Sequence, residues 1–449
     1  MFKWFGILAI GAVLAGCATT RPPAHQQLQP LPAVGQGATE YRLPRLAPKN
    51  GNSDSLAVIL SFSGGGTRAA ALAHGVLKEL KKTEVLWNGA STTLLDEVDV
   101  VAGVSGGSIA AAYFAAFGDE IFRSFEAGFL KSDFQGQLLA SARSPANAYR
   151  LSSPWFGRGH LLAERLDATL FQGITYGDLG ARGSRPFLLV TATDLTRGTG
   201  FEFSQEQFDL LCSRLDGVPL ALAVAASSAV PIVMSPITIR NAAGECAAPR
   251  PRDVSPRLAA AASYLDAEQR PFIHLVDGGL ADNLAVRGIV DAIAHAAGMA
   301  GQLETSGLRG IRKLVIVSVN AEQGLNDVLD RSDKVPTIAE VVDAISSATL
   351  ARRSGEARAI LADGAVRWPE ELRAAGRAGS PLLDPSVELY VIEVGLRDHP
   401  EPKLRQKLLA IPTSFSLPDD DVDKLIAAGG RLLRESAEFE RLRRDLAAP

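Results

Sequence analysis

The chain has 449 residues, 47% of them hydrophobic and 21% charged, with 42 Gly and 25 Pro. This composition excludes a fully disordered or fibrous chain, and the length admits one large α/β domain or two to three smaller ones. With 46 Lys+Arg against 50 Asp+Glu the formal charge is −4, so no broad basic surface is expected and nucleic acid is not an expected partner.

Lys3 is followed by an apolar stretch, Trp4 to Gly16, which is too short to span a bilayer but suits the core of a secretory signal. It ends in Leu14-Ala15-Gly16-Cys17, which resembles the lipobox of bacterial lipoproteins. That resemblance implies a signal peptide at 1–16, lipidation of Cys17 and a membrane anchored through acyl chains, each buried methylene contributing about 0.8 kcal/mol. Ala18, rather than Asp, after the cysteine resembles lipoproteins sent to the outer membrane, so the expected place is the bacterial cell envelope. Residues 17–55 carry Pro22, Pro23, Pro30, Pro32, Pro44 and Pro48, cannot form a continuous helix, and are expected to be a tether. Once Cys17 is lipidated, Cys212 and Cys246 remain, and two readings are open: a disulfide in an oxidising periplasm, or two buried thiols.

Further along, Leu56 to Ser63 is a short apolar run bounded by turn-forming sequence, and reads as a buried strand. Arg68 to Lys82 has helical spacing, Val98 to Val104 is a second apolar strand, and Ser108 to Phe117 is an Ala-rich helix. Strand, helix, strand, helix implies a parallel sheet with crossover helices. Ser124 to Gly173 is expected to be helical. Further strands are expected at Phe187–Thr193, Phe272–Val276, Lys313–Val319 and Val387–Val394, and a long surface insertion at 241–270. Near the end, Pro418 and Asp419 to Asp421 supply the first turn of a helix, with Arg431, Arg434, Arg441, Arg443 and Arg444 toward its far end, as the helix dipole prefers.

Three stretches carry candidate chemistry. Gly103-Val104-Ser105-Gly106-Gly107 matches G-x-S-x-G between a strand and a helix, where a tight turn exposes the serine hydroxyl; Gly103 and Gly107 leave room for that elbow. Gly64-Gly65-Gly66-Thr67-Arg68 lies between another strand and helix. Three glycines let main-chain N–H groups converge on an anion beside a helix start. The lysine of a P-loop is missing and the glycine spacing is not that of a dinucleotide fold, so an oxyanion hole is preferred. None of the six histidines has a turn context that marks a catalytic base. Asp277-Gly278-Gly279 offers a carboxylate instead, at the carboxyl end of the strand Phe272–Val276, the edge where ligand sites of parallel sheets gather.

In this order the three stretches resemble the signature blocks of the patatin-like phospholipase family. Ala192-Thr193-Asp194-Leu195, Ala225 to Pro231, and Asp282-Asn283-Leu284-Ala285-Val286 are also similar to family segments. The resemblance implies a patatin-like three-layer α/β domain over 56–395, with a mostly parallel central sheet flanked by helices, and a helical extension packed on it at 396–449. It implies a serine acyl hydrolase of the phospholipase A or lysophospholipase kind with a Ser-Asp dyad. Ser105 is the nucleophile, Asp277 the general base, and Gly64, Gly65 and Gly66 the oxyanion donors. Arg68 faces a substrate phosphate or is a solvated helix-surface residue. Ser63 and Ala69 give the S-G-G-G-x-R-A form of the cytosolic phospholipase A branch. Rival readings are a Ser-His-Asp carboxylesterase and a non-catalytic lipid-binding envelope lipoprotein. The expected partner is a phospholipid or other acyl-ester lipid, with no cofactor, no metal and calcium-independent hydrolysis.

Overall fold

The computed structural model describes residues 41–48, 52–246, 262–286, 308–324, 329–331 and 333–447. The expected signal peptide and Cys17, most of the tether and half of the surface insertion lie outside these residues.

Among the described residues there are ten strands: β1 (Leu56–Phe62), β2 (Glu84–Trp87), β3 (Ala90–Thr93), β4 (Val98–Gly103), β5 (Phe187–Asp194), β6 (Thr199–Glu202), β7 (Ile237–Arg240), β8 (Phe272–Val276), β9 (Ile311–Asn320) and β10 (Leu383–Gly395). β2 and β3 form a separate hairpin, and the other eight form one sheet in the order β10-β9-β1-β4-β5-β8-β7, with β6 on β5. From β10 to β5 every pairing is parallel. The apolar sequence of β1 and β4 follows from this position: every residue of both strands is buried, as expected of parallel strands covered on both faces.

Seven helices frame the site: α1 (Gly66–Lys82), α2 (Gly106–Phe117), α3 (Arg158–Leu166), α4 (Leu220–Ser227), α5 (Ile338–Arg377), α6 (Asp419–Arg434) and α7 (Ala437–Ala447). The fold is α/β, with a mostly parallel central sheet flanked by helices. Ser124–Gly173 is largely helical, as expected, with several short segments besides α3. The single C-terminal helix of the sequence reading is two helices, because the chain turns at Glu435 and Ser436. Among the described residues no helix is long and apolar enough to cross a membrane.

Two expectations change here. β8 runs antiparallel to β5, not parallel. β5 continues four residues beyond Val190, the partner of Gly103 at the end of β4, and β8 pairs with that overhang through Thr193–Val276 and Asp194–Leu275. The carboxyl end of β8 therefore points back toward the end of β4. Part of the expected tether also packs on the sheet. Tyr41 is fully buried, its ring stacks on Phe187 with centroids 4.9 Å apart, and its hydroxyl accepts the Leu188 N–H at 2.7 Å. An aromatic ring with a satisfied hydroxyl gains enough from burial to pin the chain to the sheet at Tyr41.

Candidate active site

The end of β4 and the start of α2 form the elbow. Ser105 sits there at φ 50°, ψ −126°, in a region a non-glycine residue enters only under constraint from its surroundings. Three contacts supply the constraint. The Val104 N–H donates to Phe62 O, the Ser105 N–H donates to Ser227 Oγ at 2.8 Å, and Ser108 Oγ donates to Ser105 O at 2.6 Å. Ser227, at the end of α4, donates its own hydroxyl hydrogen bond to Thr191 O on β5 at 2.6 Å. Gly103 and Gly107 do what their spacing suggests: a Cβ on Gly103 would lie 2.7 Å from Ser108 Cα, and one on Gly107 2.4 Å from Ser63 O.

Asp277 arrives at the same point from β8. Its N–H is held by Ala229 O at 2.9 Å, its Oδ1 accepts the Gly279 N–H at 2.9 Å, and the Ser105 side chain lies near enough to lower its proton affinity. Ser105 is 5% exposed and Asp277 6%. Burial raises the Asp277 carboxyl from 3.8 to about 6, and the Gly279 bond and the Ser105 side chain offset only part of that rise. A carboxylate whose proton affinity lies this close to neutrality both accepts and returns a proton readily.

The glycine loop joins β1 to α1 beside Ser105. Gly65 and Gly66 have φ of 137° and 59°, which an L side chain would strain. Their N–H groups meet no acceptor among the described residues, as is usual at a helix start. The N–H of Gly106, the first residue of α2, is likewise open, and a Cβ on Gly106 would lie 1.9 Å from Gly66 O. Gly64 departs from the expected trio. Its N–H donates to Asn283 O at 3.0 Å, so it anchors the loop and is not an open donor.

Arg68 meets neither of its expectations. It is 2% exposed, and its guanidinium donates to Ala321 O at 2.8 Å, Ile411 O at 2.5 Å and Thr413 Oγ1 at 3.0 Å. Its hydrogen-bonding capacity is spent on tying the segment before α6 to the glycine loop, where Ser414 O accepts the Thr67 N–H. Ser63 has a comparable task, its hydroxyl accepting the Ala321 N–H at 2.9 Å.

Two further residues stand at the site, Asn283 from the Asp282–Val286 stretch, to which the sequence assigned no role, and Leu350, which no motif marks. Asn283 holds Gly64 through its main-chain oxygen and donates through Nδ2 to Ser354 Oγ of α5 at 2.9 Å. Leu350, also on α5, lies against Gly279. The Thr337–Glu340 capping box that opens α5 is the signal that could have located this helix.

The described histidines are engaged elsewhere: His74 with Glu126, His160 with the Gly157 N–H, His274 with Thr238, and His399 with the Glu401 N–H. His25 and His295 lie outside the described residues. Cys212 and Cys246 form a disulfide, which decides between the two readings of that pair. A groove of about 800 Å³ is lined by Trp155, Phe156, His160, Phe272 and His274, but none of the dyad or glycine-loop residues borders it.

A family model described as patatin-like phospholipase matches residues 60–289, just over half of the chain and all three glycine-containing blocks. The chain belongs to the patatin-like phospholipase family. Solved structures similar to this patatin-like chain include human GIVD cytosolic phospholipase A2, at 13% identity and TM-score 0.44 over 88% of this chain and 62% of that one. The same human enzyme in complex with methyl gamma-linolenyl fluorophosphonate aligns at 14% identity and TM-score 0.40, over 88% and 59%. VipD from Legionella pneumophila aligns at 13% and 0.29, over 88% and 72%. The patatin-like chain thus spans about three fifths of the length of the human enzyme. A comparison with curated proteins finds no match.

Proposed function

We propose that this member of the patatin-like phospholipase family is a serine acyl hydrolase of phospholipids or related lipid esters, working through a Ser105–Asp277 dyad. The observation that carries the reading is the buried Asp277 carboxylate set beside a serine on a constrained elbow. In this reading Ser105 Oγ attacks the ester carbon while Asp277 takes its proton. The carbonyl oxygen becomes an oxyanion facing the open N–H groups of Gly65 and Gly66, with Gly106 beside them. Asp277 then gives the proton to the leaving alcohol, and the acyl group remains on Ser105.

Fatty-acid release from phospholipid vesicles tests this. The protein should release fatty acid, and Ser105→Ala and Asp277→Asn should not; equal release by all three overturns the proposal. A fluorophosphonate probe should label Ser105 in the folded protein, whereas a non-catalytic lipid binder would stay unlabelled.

The envelope location belongs to the same proposal. The lipobox ending at Cys17 suggests a lipid anchor, probing a bilayer from its surface, and the Cys212–Cys246 disulfide suits an oxidising compartment. Mass spectrometry of the mature N-terminus checks it: a diacylglyceryl-modified Cys17 is expected, and an unmodified Cys17 refutes the anchor.

A further inference from the structure

We propose that Asn283 holds the water that hydrolyses the acyl-enzyme, an inference that rests on the Ser105–Asp277 reading above. Asn283 is 4% exposed, and its Oδ1 is fully buried with no hydrogen-bond partner among the described residues. Buried amide oxygens are almost always paired, and an unpaired one among polar groups is a place for a small donor.

The glycines define where this oxygen points. A Cβ on Gly64 would lie 2.6 Å from Asn283 Oδ1 and 3.4 Å from Ser105 Cβ. A Cβ on Gly279 would lie 2.8 Å from the same Oδ1 and 3.1 Å from Asp277 Oδ1. These distances put the amide oxygen beside both nucleophile and base, and Leu350 Cδ2, 2.5 Å from the Gly279 Cβ position, closes the apolar side. Ser354 keeps the amide turned this way by accepting from Nδ2, and Ser354 is itself fully buried.

The chemistry of deacylation requires such a group. A water donating one O–H to the Asp277 carboxylate and the other to Asn283 Oδ1 has its lone pair free for the acyl carbon. The water oxygen bonds to that carbon as the carbonyl electrons move onto the oxygen facing Gly65 and Gly66, and Asp277 takes the proton. The oxyanion then re-forms the carbonyl, the bond from carbon to Ser105 Oγ breaks, and Asp277 returns the proton to Oγ. The products are a free fatty acid and the original dyad, with water the only co-reactant. Asparagine suits the task because it accepts without charge; a second carboxylate here would raise the Asp277 carboxyl further and weaken it as an ionised base.

The two half-reactions separate this role from a structural one. With p-nitrophenyl butyrate in stopped flow, Asn283→Ala should release a p-nitrophenol burst at a rate within about threefold of the parent protein. Its steady state should then fall about 100-fold, the scale expected when a reactant is misplaced. Intact-mass analysis should show butyrylated Ser105 accumulating, and hydroxylamine, a stronger nucleophile than water, should restore turnover. A burst rate that falls in step with the steady state, or a steady state that does not change, overturns the proposal; the first outcome is what an amide turned to donate to the oxyanion would give. Should Asn283→Ala fail to fold, Ser354→Ala releases the amide while keeping the main-chain tie to Gly64. Acyl-enzyme accumulation in that variant supports the proposal and its absence overturns it. Ser105→Ala in parallel keeps the two readings apart: if it hydrolyses the ester like the parent protein, the dyad itself is wrong.

Discussion

The main-chain N–H of Ser105 donates to the side-chain oxygen of Ser227 at 2.8 Å, and the same hydroxyl donates to Thr191 O at 2.6 Å. One buried hydroxyl thus links the elbow to β5 and offsets the unfavourable backbone of Ser105. Removing it in Ser227→Ala leaves a buried N–H and a buried carbonyl without a partner. The expected cost is about 1–3 kcal/mol of stability, read by urea unfolding. Turnover should fall through kcat, with KM nearly unchanged, because the loss displaces the nucleophile and touches no substrate. Unchanged kcat would show that the elbow holds its geometry without Ser227.

Arg68 joins three chain segments from a buried position, so its replacement is a question of stability before it is one of substrate. Arg68→Met keeps the apolar stem but leaves Ala321 O and Ile411 O without their donor. The expected loss is about 2–4 kcal/mol, in the range of broken buried networks. Activity on a phospholipid and on a small neutral ester should fall by the same factor, since the glycine loop loosens for both. A loss confined to the phospholipid would return Arg68 to the role of a phosphate ligand.

How much of this was legible in the sequence depended on how local each signal was. β1 and β4 were readable because parallel strands buried on both faces are unbroken apolar runs. The elbow was readable because the close approach of Ser63 O to Gly107 and of Ser108 to Gly103 admits only glycine. The direction of β8 was not readable: whether Phe272–Val276 pairs parallel or antiparallel depends on the overhang of β5, nearly eighty residues earlier in the chain. Arg68 and Gly64 were misassigned for the same reason. Their partners, Ile411 and Asn283, are supplied by distant segments, and a glycine-rich loop does not announce which of its N–H groups will be taken. The burial of Tyr41 was hidden by the proline-rich composition around it.

The Cys212–Cys246 disulfide closes a loop with a sequence separation of 34, and α4 with Ser227 lies inside that loop. Loop-closure entropy at this length corresponds to about 4 kcal/mol of stability. Cys246→Ser, or reduction of the parent protein, should therefore lower the urea midpoint by the equivalent of a few kcal/mol. Labelling of the unfolded, unreduced parent with a thiol reagent should find neither cysteine. Two free thiols, with no change in midpoint on reduction, would contradict the pairing.

The pH dependence of activity should trace to Asp277, and its contribution to stability, which adds to those of the Glu97 and Asp99 carboxyls that burial raises to about 7 and about 6, should move in the opposite direction. Burial raises the Asp277 carboxyl from 3.8 to about 6. Below about pH 4 it is protonated in folded and unfolded chains alike. Between the two values the unfolded chain releases the proton while the folded protein keeps it, so the stability associated with the neutral carboxyl is lost as pH rises toward 6. A shift of this size corresponds to about 3 kcal/mol. Hydrolysis requires the ionised base, so kcat/KM should climb with pH and level off above about 6. Asp277→Asn separates the effects: it is neutral at every pH and its amide oxygen still accepts from Gly279. It should match the parent in stability near pH 4, exceed it by up to about 3 kcal/mol at pH 7 to 8, and hydrolyse nothing. Denaturation curves of the two proteins across that range check the sign. A variant less stable than the parent at neutral pH would mean that the ionised carboxylate is a net stabiliser of the fold, against the direction expected from its burial.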